Sequence, residues 1–76
     1  MEEAVVMEII AKQIGVSPKS LQEETSFADL GADSLDLFQI VSALEETYDI
    51  DFDPEAAENL KTIQDVLDYL RSVLEN

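Results

Sequence analysis

Ser34 follows Asp33 and leads directly into the apolar periodicity of residues 35–48, a setting in which a hydroxyl is open to chemical use. That order puts it at a helix start. Asp33 is a good N-cap, because a short side-chain oxygen accepts from the unpaired amides of a first turn, and Gly31 supplies a flexible bend just before it. An anion joined to the Ser34 oxygen would lie in the favourable field of the helix dipole, near free backbone N–H groups. The serine has no catalytic company. With no His and no Cys in the chain, Ser–His and Cys–His catalysis, disulfides and the usual zinc ligand sets are all excluded, so an enzyme is not expected.

Asp49, Asp51 and Asp53 alternate as in the opening of a calcium loop, but the match fails at two decisive positions. The sixth residue is Pro54 where the sharp turn needs Gly, and the twelfth is Leu60 where a bidentate Glu belongs. No metal site is expected.

The 76 residues contain 18 Asp or Glu against 4 Lys or Arg, a formal charge of −14, and no basic residue lies between Lys19 and Lys61. Nucleic acid and anionic membrane surfaces both need a basic patch, so the charge points instead to basic protein partners. A hydrophobic content of 46% with helical periodicity argues against disorder. No apolar run approaches membrane-spanning length, and Met1-Glu2-Glu3 lacks the basic start of a signal peptide. A cytoplasmic, monomeric protein made of one domain, residues 1–76, is expected.

Four helices must position the serine. Val6, Ile10 and Ile14, widened by Ile9, predict a first helix over residues 3–14, ended by Gly15, with Val16 folding back on the last turn. Ser17-Pro18 reads as a capped single turn anchored by Leu21, and residues 22–33 read as a long loop held by Phe27 and Leu30. The second helix, 34–48, has its buried stripe at Leu37, Ile40, Val41, Leu44 and Tyr48. Leu35, Phe38, Gln39, Ser42, Glu45 and Glu46 fall on or near its other side, so two large apolar residues face outward among carboxylates. Asp53 caps and Pro54 opens a short third helix through about residue 59, with Phe52 and Leu60 turned to the core. Thr62 with Asp65 forms a capping box for the last helix, whose apolar set is Ile63, Val66, Leu67, Leu70 and Leu74.

The string Asp29-Leu30-Gly31-Ala32-Asp33-Ser34-Leu35-Asp36 resembles the modification site of acyl carrier proteins, in which the serine bears a 4′-phosphopantetheine arm. The resemblance continues through Ala43-Leu44-Glu45-Glu46, Pro54-Glu55-Ala56-Ala57-Glu58 and Thr62-Ile63-Gln64-Asp65, and so covers nearly the whole chain. It implies an all-α four-helix bundle with three longer helices and a short third one, in agreement with the periodicities. It implies that a phosphopantetheinyl transferase moves the arm from coenzyme A to Ser34, and that the arm's thiol holds acyl chains as thioesters. The fatty-acid synthesis type of carrier is implied, with enzymes that dock through basic patches. Carried over by position, the partner-binding residues are Asp33, Leu35, Asp36, Phe38, Glu45 and Glu46.

The sequence departs from the family's pattern at Gln39, where an acid is usual, and at Ser42, where a larger apolar residue is common. Ser26-Phe27-Ala28-Asp29-Leu30 is one residue shorter than the common form. Two other functions stay open: a carrier of a polyketide or other specialised acyl pathway, and a non-carrier acidic module that only binds basic partners.

Overall fold

The computed structural model describes residues 1–75. Four α-helices occur among them, α1 (Glu3–Ile14), α2 (Ser34–Tyr48), α3 (Pro54–Glu58) and α4 (Ile63–Leu74), with a single 3-10 turn at Pro18–Ser20. The all-α bundle with a short third helix is the expected one, and α1 and α2 pack directly on each other.

Each boundary has a local cause. Gly15 takes the left-handed conformation, φ 87°, and the N–H groups of Gly15 and Val16 both donate to the Ala11 carbonyl. The Ser17 side chain accepts from the Lys19 amide to start the 3-10 turn. α2 ends at Asp49, which adopts φ 54° and returns its N–H to the Glu45 carbonyl. Asp53 accepts from the Glu55 amide and Pro54 opens α3. α4 begins on a full capping box, Thr62 to the Asp65 amide and Asp65 back to the Thr62 amide.

One core joins the elements. α1 contributes Val6, Ile10 and Ala11, α2 contributes Ile40 and Leu44, and α4 contributes Ile63, Val66, Leu67 and Leu70. Leu21 and Phe27 enter from the long loop, and Phe52 and Leu60 from either side of α3. α3 itself buries no residue, so it is held by its flanks. Ile9, Ile14, Leu37, Val41, Tyr48 and Leu74, expected in apolar stripes, are only half-buried at the margin of the core. Burial, and secondarily the Glu2 carboxylate, push the Tyr48 phenol above its usual pKa.

The long loop is better ordered than its sequence suggests. Phe27 donates to the Lys61 carbonyl at 2.9 Å, Ile63 donates to Thr25 at 3.1 Å, and Gln64 donates to Glu23 at 2.8 Å, around an antiparallel bridge between Ser26 and Thr62. The loop therefore satisfies first-turn amides of α4 that would otherwise lack partners. Beyond Phe27 it turns tightly: Leu30 and Ala32 return N–H groups to the Phe27 carbonyl, and Gly31 sits at φ 75°. Ser34 is delivered by a segment tied to the start of α4.

Candidate functional site

The N-terminus of α2 is closed by two carboxylates. Asp33 Oδ1 accepts from the Asp36 amide at 3.0 Å, and Asp36 Oδ2 accepts from the Asp33 amide at 3.2 Å. Leu37 donates to the Asp33 carbonyl. The first-turn amides of Ser34 and Leu35 are left without a partner among the described residues. Ser34 is exposed, and its hydroxyl is not held by any hydrogen bond to a described residue. An anion on that oxygen meets two free amides, but it also meets the charges of Asp33 and Asp36, which already offset much of the helix dipole.

From Ser34 a cavity of about 480 Å³ runs between α2 and α3. Leu37, Phe38, Val41 and Glu45 form its α2 side, and Phe52, Pro54, Ala57 and Glu58 form the other. Ser34 and Glu45 are eleven residues apart, so the cavity follows α2 for roughly 16 Å at the rise of an α-helix. Its lining explains the half-burial of Leu37 and Val41: they face the core on one edge and the cavity on the other.

At the far end the wall is fastened from two directions. Glu45 Oε2 accepts from the Phe52 amide at 2.7 Å, and the Tyr69 hydroxyl accepts from the Asp53 amide at 3.0 Å. The Phe52 and Tyr69 rings stack with centroids 4.5 Å apart and planes 24° from parallel. A second, more open cavity of about 520 Å³ lies on the loop side of Ser34, between residues 26–33 and the Glu58–Lys61 stretch.

Of the residues expected to meet partners, Leu35 (61% exposed) and Phe38 (67%) do face outward, and Glu46 is exposed beside them. Asp33 and Asp36 each commit one oxygen to the capping box. Glu45 differs from the expectation of a free rim charge, because its carboxylate is engaged by the Phe52 amide and lines the cavity. Gln39 is also occupied, accepting from the Gln13 side-chain amide of α1. Tyr69 was not among the expected site residues; its three-residue spacing from Val66 was the available signal. Among the described residues no Asp/Glu cluster is arranged to hold a metal ion.

The sequence profile of the phosphopantetheine attachment site matches residues 4–70, a span that includes Ser34 and both walls of the cavity. An acyl carrier protein of Bdellovibrio bacteriovorus is 52% identical over 66 residues, covering 86% of this chain and 85% of that one. The chain belongs to the acyl carrier protein family. Among solved structures, a Mycobacterium tuberculosis protein provisionally assigned as an acyl carrier protein superposes with a TM-score of 0.87 at 29% identity, covering 95% of this chain and 97% of that one. A free-standing peptidyl carrier protein from a secondary metabolic pathway of Acinetobacter baumannii gives 0.81 at 25%, covering 95% and 90%.

The protein is thus a carrier and not an enzyme, and its prosthetic group is a covalently attached 4′-phosphopantetheine. That group supplies, when bound, the thiol that a chain without cysteine lacks, and acyl groups are held on it as thioesters. The site suits it: an unencumbered hydroxyl, two open amides and an adjacent cavity of mainly apolar lining. Among the described residues no helix is long and apolar enough to cross a membrane.

Proposed function

We propose that Ser34 carries the arm, that residues 1–76 act as one carrier unit, and that the cargo is the growing saturated chain of fatty-acid synthesis. The observation that carries this reading is the cavity that begins at Ser34 and is lined by Leu37, Phe38, Val41, Phe52, Pro54 and Ala57. An alkyl chain loses nothing in such surroundings and gains about 0.8 kcal/mol for each methylene removed from water. A polyketide or peptidyl chain would strand carbonyl or amide groups there, at roughly 1–3 kcal/mol for each unpaired group. A flexible arm adds the other half of the function, since it presents its cargo to successive active sites at an effective concentration in the millimolar range for short tethers.

Partners are enzymes bearing basic patches that meet Asp33, Asp36 and Glu46, with Leu35 and Phe38 as apolar anchors and Glu45 at the edge of that face. A phosphopantetheinyl transferase is the first of them. The resemblance to a peptidyl carrier extends to the fold, whereas the lining of the cavity favours the fatty-acyl reading.

Intact mass after incubation with coenzyme A and a transferase tests the attachment. Wild type gains one arm, and Ser34→Ala, folded by circular dichroism, gains none; an equal gain in both would move the site elsewhere. The acyl load on protein isolated from its host tests the pathway. Saturated alkyl thioesters are expected, and aminoacyl or polyketide thioesters would overturn the assignment.

A further inference from the structure

The cavity's far wall is the segment Phe52–Pro54, and α3 beyond it places no side chain in the core. Beside the packing of the Phe52 ring in the core, one hydrogen bond among the described residues ties that wall to α2. Glu45 projects from α2 and accepts from the Phe52 amide at 2.7 Å, in the range of a charge-assisted hydrogen bond. A backbone N–H at such a margin needs an acceptor, and Phe52 has no other among the described residues. Glu46, the neighbouring acid, has no comparable tie and stays in solvent.

We propose that Glu45 is a positioning residue for the cavity: its carboxylate pins the Phe52 backbone to α2 and so sets whether the space between α2 and α3 is open or closed. The pin divides the wall's attachment into two parts. Tyr69 holds the Phe52 ring and the Asp53 amide from α4, while Glu45 holds the Phe52 amide from the α2 side. Releasing Glu45 leaves Phe52 stacked on α4 and removes the hydrogen bond from its backbone to α2, which loosens the cavity wall while the contacts among Ile40, Leu44, Leu67 and Leu70 remain. An acceptor oxygen is what the position requires, and the charge strengthens it. The inference deepens the fatty-acyl reading and rests on it only where cargo is concerned.

Hydrogen exchange of the unloaded protein tests the pin directly. Glu45→Ala should speed exchange of the Phe52 amide roughly tenfold, the loss of one such bond, while the amides of Ile40 and Leu67 keep their protection. Glu45→Gln, which keeps an oxygen in place, should stay within about threefold of wild type. Unchanged Phe52 exchange in Glu45→Ala overturns the proposal, and so does equal acceleration in both variants, because the charge alone would then account for it. The octanoyl-loaded forms give the second readout, thioester cleavage by hydroxylamine. Cleavage faster in Glu45→Ala than in wild type and Glu45→Gln supports the pin's control over the cavity. Raised Phe52 exchange with unaltered cleavage upholds the pin and refutes the cavity as the cargo's berth, so the two readings fail separately.

Discussion

Lengthening the cargo one methylene at a time measures whether the cavity is its berth. The arm is covalent, so a chain that enters the space between α2 and α3 stabilises the folded state without any dependence on concentration. Each buried methylene contributes about 0.8 kcal/mol, an upper value because the wall must give way and the chain must be ordered. In a domain of this size 1 kcal/mol corresponds to about 4–8 °C in Tm. Protein loaded with butanoyl, hexanoyl and octanoyl chains should therefore climb in Tm by up to about 6–13 °C per added pair of methylenes. The climb should level off when the roughly 16 Å of cavity along α2 is filled. The assay is thermal unfolding followed by circular dichroism at fixed pH and salt. Ala57→Phe supplies the control: Ala57 lines the cavity and is half-buried, so a ring there should occupy the space and flatten the series. A Tm independent of chain length in wild type, or a series that climbs equally in Ala57→Phe, would refute the reasoning.

Three further outcomes follow from the capping, the outward face and the net charge. The Asp65 carboxyl is held below its usual pKa, first by the Lys61 amide and then by the Thr62 amide, so its contribution to stability is present above the unfolded value of about 3.9 and is lost as pH falls through the lower folded value. Asp65→Asn should lower the pH 7 Tm by several degrees, from a loss of about 1 kcal/mol, and the gap to wild type should close in acid; a gap that persists at pH 2 would contradict the linkage. In surface plasmon resonance against a condensing enzyme, Glu46→Lys should slow association and weaken its salt dependence, whereas Leu35→Ala and Phe38→Ala should speed dissociation by roughly 1–2 kcal/mol each; unchanged rates would mark the apolar pair as ordinary surface. Simple salt should raise the Tm, mostly between low ionic strength and the physiological value where the Debye length is about 8 Å, and a flat profile would show that the charge of −14 does not strain the fold.

Helix limits were legible because each is written in local chemistry. Gly15, the Asp33 and Asp53 caps, Pro54 and the Thr62/Asp65 pair act within a few residues of where they stand, and α1 and α2 run over the expected spans while α4 opens at the expected cap. The position of Ser34 at the start of α2 was legible for the same reason. The tie between the loop and α4 was not, because the Ser26–Thr62 bridge joins residues 36 apart in a pairing too short to leave an alternating pattern. The tie between Glu45 and Phe52 was hidden by a related limit. A helical wheel puts Glu45 near the outward face, but its side chain is long enough to lean across the edge and reach an amide seven residues on. Periodicity assigns faces; it does not say which marginal side chain finds a partner. Half-burial of Leu37 and Val41 has the same origin, since a stripe of apolar residues reads alike whether it meets a core or a cavity.

Stability is distributed in this chain so that one wall is weak and its neighbours are not. A single domain of this size has only about 3–5 kcal/mol to divide, and α2 and α4 each begin on a complete capping box, while the loop carrying Ser34 is stitched to α4. α3 has one cap, five residues and no buried side chain. Residues 45–58 also hold seven Asp or Glu and no Lys or Arg, so mutual repulsion is concentrated on the segment with the fewest apolar contacts. Local opening therefore has its lowest free energy beside the cavity, and it leaves the Ile40, Leu44, Leu67 and Leu70 contacts undisturbed. A carrier needs that separation. On the proposed reading, cargo enters and leaves through α3 while the N-terminus of α2, with Ser34 and the outward Leu35 and Phe38, keeps its geometry.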